Sequence, residues 1–236
     1  SPSRGLGDVY KRQEIDGVAN AVTNYAQIIT EKFGSAVVVT PDNPEADDSV
    51  YPFPVVRYPS VDMTKLVGYR AGFPFSAAVQ KTLEAGNFDI IHSHCPITST
   101  MLARSLRDRI KVPVVMTYHT KFDIDIANAI RGKLLQEEAK ALLAANISAC
   151  DEVWTVSRGA GENLRAIGYE GDYIVMPNGV DFPQGRVEDA LIAQVTEGYD
   201  LPENVPVFLF VGRMMWYKGI RIILEGLAKL RESGQD

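Results

Sequence analysis

Two apolar runs, Asp89-Ile-Ile-His92 and Val112-Pro-Val-Val-Met-Thr-Tyr118, decide the reading of the fold, with Thr98 to Ile110 between them as a helix. Both runs are rich in Val and Ile and lack the apolar–polar alternation of a sheet with one wet face. They read as strands covered on both sides. A helix between two such strands makes them parallel neighbours.

The same rhythm extends in both directions. Toward the N-terminus, Phe75 to Ala85 is a helix and Val37-Val-Val-Thr40 a short buried strand. Phe53-Pro-Val-Val-Arg57 is a strand kept at an edge or boundary by its prolines. Val18 to Phe33 sets Val18, Val22, Tyr25, Ile28 and Ile29 near one helical face. Toward the C-terminus, a helical stretch from Ile124 to Ala149 breaks near Gly132, with Leu135, Ala139 and Leu142 on one face. The strand Glu152-Val-Trp-Thr-Val156, a helix from Gly159 to Ala166 and the strand Tyr173-Ile-Val-Met176 follow. The sum is an α/β fold with a doubly wound, Rossmann-like parallel sheet.

Pro177-Asn-Gly-Val-Asp-Phe-Pro183 interrupts the rhythm and reads as a domain-boundary turn. We expect one domain over 14–182 and a second beginning in 183–236, where a helix from Val187 to Gly198 precedes the strand Val207-Phe-Leu-Phe-Val211. One strand and one following helix cannot bury their faces alone, so that domain reads as truncated. Residues 1–13 carry neither period and read as a leader foreign to the fold.

Composition narrows the class. With 236 residues, 46% hydrophobic and 23% charged, the chain can close a core without disulfide or metal staples. Cys95 and Cys150 lie far apart with no Cys-x-x-Cys spacing, which fits a reducing, cytoplasmic setting. No apolar run approaches the ~18–20 residues of a bilayer span. A net charge of −6 argues against a nucleic-acid partner, which requires a basic face.

In open parallel sheets, ligands bind beyond the carboxyl ends of the strands. His92, Ser93 and His94 end one strand, Tyr118, His119 and Thr120 the next, and Ser157 and Arg158 a third. Asn178 and Asp181 follow a fourth, and Arg213 and Lys218 the last. All three histidines of the chain fall in this set. His92, His94 and His119 could ligate zinc, although no Asp or Glu immediately joins them, and His119 reads better as a ligand-facing hydrogen-bond donor. Gly159-Ala-Gly161 suggests a dinucleotide turn, but Leu164 occupies the third glycine position, and a helix start capped near Ser157 or Arg158 is the plainer account. No Gly-x-x-x-x-Gly-Lys-Ser/Thr phosphate loop exists. Asp16-Gly17 opens the first helix: glycine allows close backbone approach, while Asp16 caps the helix or accepts from a sugar hydroxyl. Val211-Gly-Arg213 and Lys218-Gly219 bring two cations between a strand and a helix, a pattern suited to a pyrophosphate.

These segments together resemble the retaining glycosyltransferases of family four, which have the GT-B fold. The resemblance runs from about Asp16 to Leu230. It rests on Gly17-Val18-Ala19, Phe88-Asp-Ile-Ile-His-Ser-His94, Pro113-Val-Val-Met-Thr-Tyr-His-Thr120, Asp151-Glu-Val-Trp-Thr-Val-Ser157, Pro177-Asn-Gly-Val-Asp181 and Val211-Gly-Arg-Met-Met-Trp-Tyr-Lys-Gly219. The Thr-Tyr-His-Thr form and the Gly-Val-Ala loop look most like the branch that glycosylates lipids. The resemblance implies an acceptor-holding N-terminal domain and a C-terminal domain for the nucleotide sugar. It implies His119 as the active-site histidine at the sugar, with Gly17, Arg213 and Lys218 as diphosphate contacts. Asp16, His94 and Tyr118 fall on the acceptor or sugar side.

Four departures accompany it. A leader stands where the family has an apolar strand, Asp16-Gly17 replaces paired glycines or Asn-Gly, Tyr217 stands where Glu is common, and the family's glutamate-bearing motif is absent. The chain resembles a fragment with little or no turnover of its own. The parent activity implied is transfer of a hexose from a nucleoside diphosphate sugar to a hydroxyl acceptor, with a membrane lipid as one acceptor class and peripheral membrane contact. Anomeric configuration is retained and no cofactor or metal is expected. The rival readings are a nucleotide-sugar epimerase of the same fold, an NAD-dependent enzyme, a zinc-dependent enzyme, and a mere binding domain.

Overall fold

The structure is a computed structural model and describes residues 17–62, 70–119, 122–179, 185–199, 207–211 and 219–234. The chain divides into two compact units, Ser1–Asp181 and Phe182–Asp236. The leader at 1–13 and Asp16, Asp181, Arg213, Tyr217 and Lys218 lie outside the described residues.

The first unit alternates strands and helices in the order α1 (Gly17–Lys32), β1 (Val38–Pro41), β2 (Val55–Tyr58), β3 (Ser60–Asp62), β4 (Arg70–Gly72), α2 (Ala77–Glu84) and β5 (Ile91–Ser93). It continues with α3 (Thr98–Ile110), β6 (Val114–Tyr118), α4 (Phe122–Ala129), α5 (Lys133–Ser148), β7 (Glu152–Thr155), α6 (Arg158–Ala166) and β8 (Ile174–Val175). β5, β6, β7 and β8 form a parallel sheet in sequence order, and β1 pairs with β2 in parallel.

Register decides what each face of the larger sheet carries. His92 pairs with Val115, Met116 with Val153, Thr117 with Trp154 and Tyr118 with Thr155. Because side chains alternate along a strand, Met116, Tyr118 and Val153 share one face while His92, Thr117 and Trp154 share the other. The first face packs on α5 and α6 through Leu143, Ile147, Ala160 and Leu164, all buried. On the second, the Tyr25 ring of α1 lies 5.6 Å from the His92 ring. A second core cluster joins Tyr58 of β2 to Val79 and Leu83 of α2 and to Leu102 and Leu106 of α3.

Local chemistry explains the boundaries. Ser157 Oγ accepts from Ala160 N at 3.1 Å and starts α6. Gly132, at φ +103°, separates α4 from α5 where the sequence signals a break. The expected face of α5 is corrected: Leu135 and Leu142 are exposed, whereas Leu143, Ala144 and Ile147 are buried. The helix turns its second apolar set to the sheet because the Leu142–Leu143 doublet offers two registers and only one meets Met116 and Leu164.

In the second unit, α7 (Asp189–Thr196) and α8 (Ile220–Glu232) form, with no buried residue in either. The strand expected over Val207–Val211 is absent. Val207, Phe208, Leu209 and Val211 are 61–86% exposed. A strand needs a neighbour for its backbone groups, and no described residue pairs with these.

Candidate active site

The carboxyl ends of β5 and β6 bring all three histidines together. His92 lies in β5 on the face beneath α1, and its Nε2 lies 2.7 Å from Thr117 Oγ1. His94, two residues on, places its ring centroid 4.1 Å from that of His92. Its Nδ1 lies 2.9 Å from Nε2 of His119, which follows β6. Tyr25 closes against the group at 5.7 Å from the His94 ring, and Trp154 meets His92 edge-on at 5.1 Å.

The loop that carries His94 is clamped. Thr100 Oγ1 donates to Cys95 O at 2.7 Å, and Asn146 Nδ2 on α5 donates to Pro96 O at 2.6 Å and Ile97 O at 3.2 Å. Arg104 Nη1 on α3 donates to Asn146 Oδ1 at 2.6 Å and orients that amide. A buried Asn with both ends committed makes the loop a rigid mount.

Electrostatically, His92 and His94 are polar but uncharged. Burial, with the neighbouring imidazoles, pushes His94 down to about 2, and burial pushes His92 to about 4. At neutral pH both rings are neutral, each with one donor and one acceptor nitrogen. Such a surface matches hydroxyl groups, which also donate and accept. It lacks the cations that a diphosphate demands.

The other expected residues fall differently. Tyr118, expected on the acceptor or sugar side, is corrected to a core residue: it is fully buried and its hydroxyl donates to Asn163 Oδ1 at 2.8 Å. Alternation puts it on the opposite face from Thr117 and His119. Gly17 is the first residue of α1 and exposed, with open space where a Cβ would project. Gly161 is not a cofactor turn, because a Cβ there would come within 2.5 Å of the Tyr173 ring. It serves packing between α6 and the residue before β8. The zinc alternative meets nitrogens already engaged with Thr117 and with each other, and among the described residues no group of three ligating side chains could hold a metal. Asp16, Arg213 and Lys218 lie outside the described residues. Sequence reasoning missed Tyr25 and Asn146 as site residues. Tyr25 sits in an apolar helical pattern and reads as core, while nothing local marks Asn146.

The three imidazoles thus stand at the carboxyl edge of a parallel α/β sheet, the side on which open sheets of this kind bind ligands. A profile of Glycosyltransferase Family 4 matches residues 15–183, and the chain belongs to that family of sugar-transferring enzymes. It is 20% identical over 219 residues to Alpha-monoglucosyldiacylglycerol synthase of Streptococcus pneumoniae, across 91% of this chain and 49% of the relative. It is 29% identical over 164 residues to D-inositol 3-phosphate glycosyltransferase of Geodermatophilus obscurus, across 66% of this chain and 35% of the relative. The chain thus spans about half or less of the length of these relatives. Among solved structures it resembles Anabaena Alr3699/HepE in complex with UDP-glucose, with a TM-score of 0.62 and 16% identity over 92% of this chain and 55% of the other. That likeness carries the fold, GT-B. Among the described residues, no helix is long and apolar enough to cross a membrane.

Proposed function

We propose that the chain is the acceptor-side portion of a hexosyltransferase that moves a sugar from a nucleoside diphosphate to a hydroxyl acceptor with retention of anomeric configuration. The observation that carries this reading is the imidazole group at the carboxyl ends of β5 and β6, in which His92 and His94 are neutral and His119 is joined to His94 at 2.9 Å. A sugar hydroxyl can exchange hydrogen bonds with such a surface without the desolvation cost of a buried charge. His119 hydrogen-bonds the transferred sugar and helps hold it near the acceptor oxygen.

The donor side of the reading rests on Arg213 and Lys218. As the glycosidic bond breaks, charge grows on the departing diphosphate, and these two cations stabilise it, with Gly17 letting the α1 start approach the same group. The binding of UDP-glucose by Anabaena Alr3699/HepE supports a nucleotide sugar as donor. No nucleophile, resident metal or cofactor enters the mechanism.

For the acceptor we favour a membrane lipid. The Streptococcus relative, named as a synthase of a glucosylated diacylglycerol, aligns with 91% of this chain. Leu134 and Leu135, 75% and 60% exposed at the start of α5, offer apolar side chains beside Arg131 and Lys133 for peripheral contact with a lipid surface. The test is product analysis with a fusion that continues this chain into the remaining length of the Streptococcus relative. Supplied with UDP-glucose and either diacylglycerol vesicles or an inositol phosphate, it should glucosylate the lipid with α-configuration retained. Transfer to inositol phosphate alone would replace the lipid assignment. No transfer by a folded, donor-binding fusion would overturn the function.

A further inference from the structure

Among the described residues, each polar side chain around the imidazole group has a partner in the protein, with one exception. His92 Nε2 meets Thr117 Oγ1, and His94 Nδ1 meets His119 Nε2. Trp154, edge-on to His92, donates its Nε1 proton to Glu152 Oε1. Tyr25 differs. Its ring lies 5.6 Å from that of His92 and 5.7 Å from that of His94, yet its hydroxyl has no hydrogen-bond partner among the described residues.

The placement of this ring follows from α1. Ala21, one turn earlier, and Ala26 are the buried residues of the helix, and their small side chains let it sit close enough for Tyr25 to reach both rings. A phenol is apolar along its ring and polar at its tip, and its O–H both donates and accepts. Half-buried, uncommitted and beside two neutral imidazoles, that tip suits a ligand hydroxyl better than a phosphate, which calls for cations.

We propose that Tyr25 is a ligand-binding residue of this site, with its ring set against the imidazoles of His92 and His94 and its hydroxyl bonded to a hydroxyl group of the substrate. The proposal rests on the sugar-transfer reading given above and adds to it a contact supplied by α1. The partner hydroxyl belongs to the transferred sugar or to the acceptor, and the two are told apart by which affinity the tyrosine controls.

Tyr25→Phe keeps the ring and removes only the oxygen. In the 236-residue chain it should unfold at the wild-type urea midpoint and leave the histidine ring signals in place, because no internal bond is lost. In the fusion described above, titration with UDP-glucose and, separately, with diacylglycerol vesicles or an inositol phosphate should show weaker binding by about 3- to 10-fold, the worth of one neutral hydrogen bond. A loss confined to UDP-glucose assigns the sugar hydroxyl, and a loss confined to the acceptor assigns the acceptor hydroxyl. Wild-type affinity for both overturns the proposal. So does a lowered unfolding midpoint, which would show the hydroxyl to be committed inside the fold. Because affinity is read apart from turnover, a fusion that binds without transferring sinks the function and still decides Tyr25.

Discussion

Nδ1 of His94 and Nε2 of His119 lie 2.9 Å apart on loops that follow neighbouring parallel strands, β5 and β6. The pairing of β5 and β6 sets these loops side by side, and alternation aims both rings to the face beneath α1. Residues 25 positions apart in sequence thus meet as a direct consequence of strand register. The Asn146 amide holds the loop that carries His94.

Stability should depend on pH through the two depressed histidines. In the folded chain His94 and His92 resist protonation down to about 2 and about 4. In the unfolded chain they take a proton below about 6.5. Between about 4 and 6.5 the unfolded state therefore binds more protons, and stability falls as pH falls. Full separation costs about 1.4 kcal/mol per pH unit for each ring. Urea unfolding at pH 7 and pH 5 should show the lower midpoint at pH 5. His92→Gln should flatten the dependence, and an unchanged slope would show that burial does not keep that ring neutral.

Asn146→Leu should cost about 1–3 kcal/mol, because the carbonyls of Pro96 and Ile97 lose their donor and Arg104 loses its acceptor. The same change should loosen the loop bearing His94. Denaturant unfolding gives the first effect. Faster exchange of the His94, Cys95 and Ile97 amides gives the second, and wild-type exchange there would mean that the clamp is held by Thr100 alone.

Arg213→Ala in the fusion enzyme should lower kcat by ~10²–10³, the scale of losing one group that stabilises developing charge. Steady-state kinetics with saturating donor measures it. Wild-type turnover would remove Arg213 from the mechanism.

Much of this fold is legible because β-branched runs such as Val114-Val-Met-Thr-Tyr118 have few alternatives to a buried strand, and α3 spans the Thr98–Ile110 stretch that the sequence reads as a helix. The antiparallel pair β3–β4 escapes such reading: Ser60-Val-Asp62 and Arg70-Ala-Gly72 carry no apolar period, and pairing alone makes them strands. Val207–Val211 errs in the other direction, an apolar run with no partner among the described residues. His94 and His119 are visible as candidates because strand ends are visible. Their mutual bond is not, since it depends on a register that no local pattern encodes. Tyr118 was misplaced by one residue of alternation, which separates the core face from the ligand face.

The central claim is that the His119 imidazole serves the transferred sugar. In the fusion enzyme, with folding verified by the unchanged His92 ring signals, His119→Ala should reduce kcat/KM by about 10- to 100-fold, the worth of one or two neutral hydrogen bonds in a water-poor site. Wild-type kcat/KM for both donor and acceptor in that variant would contradict the account.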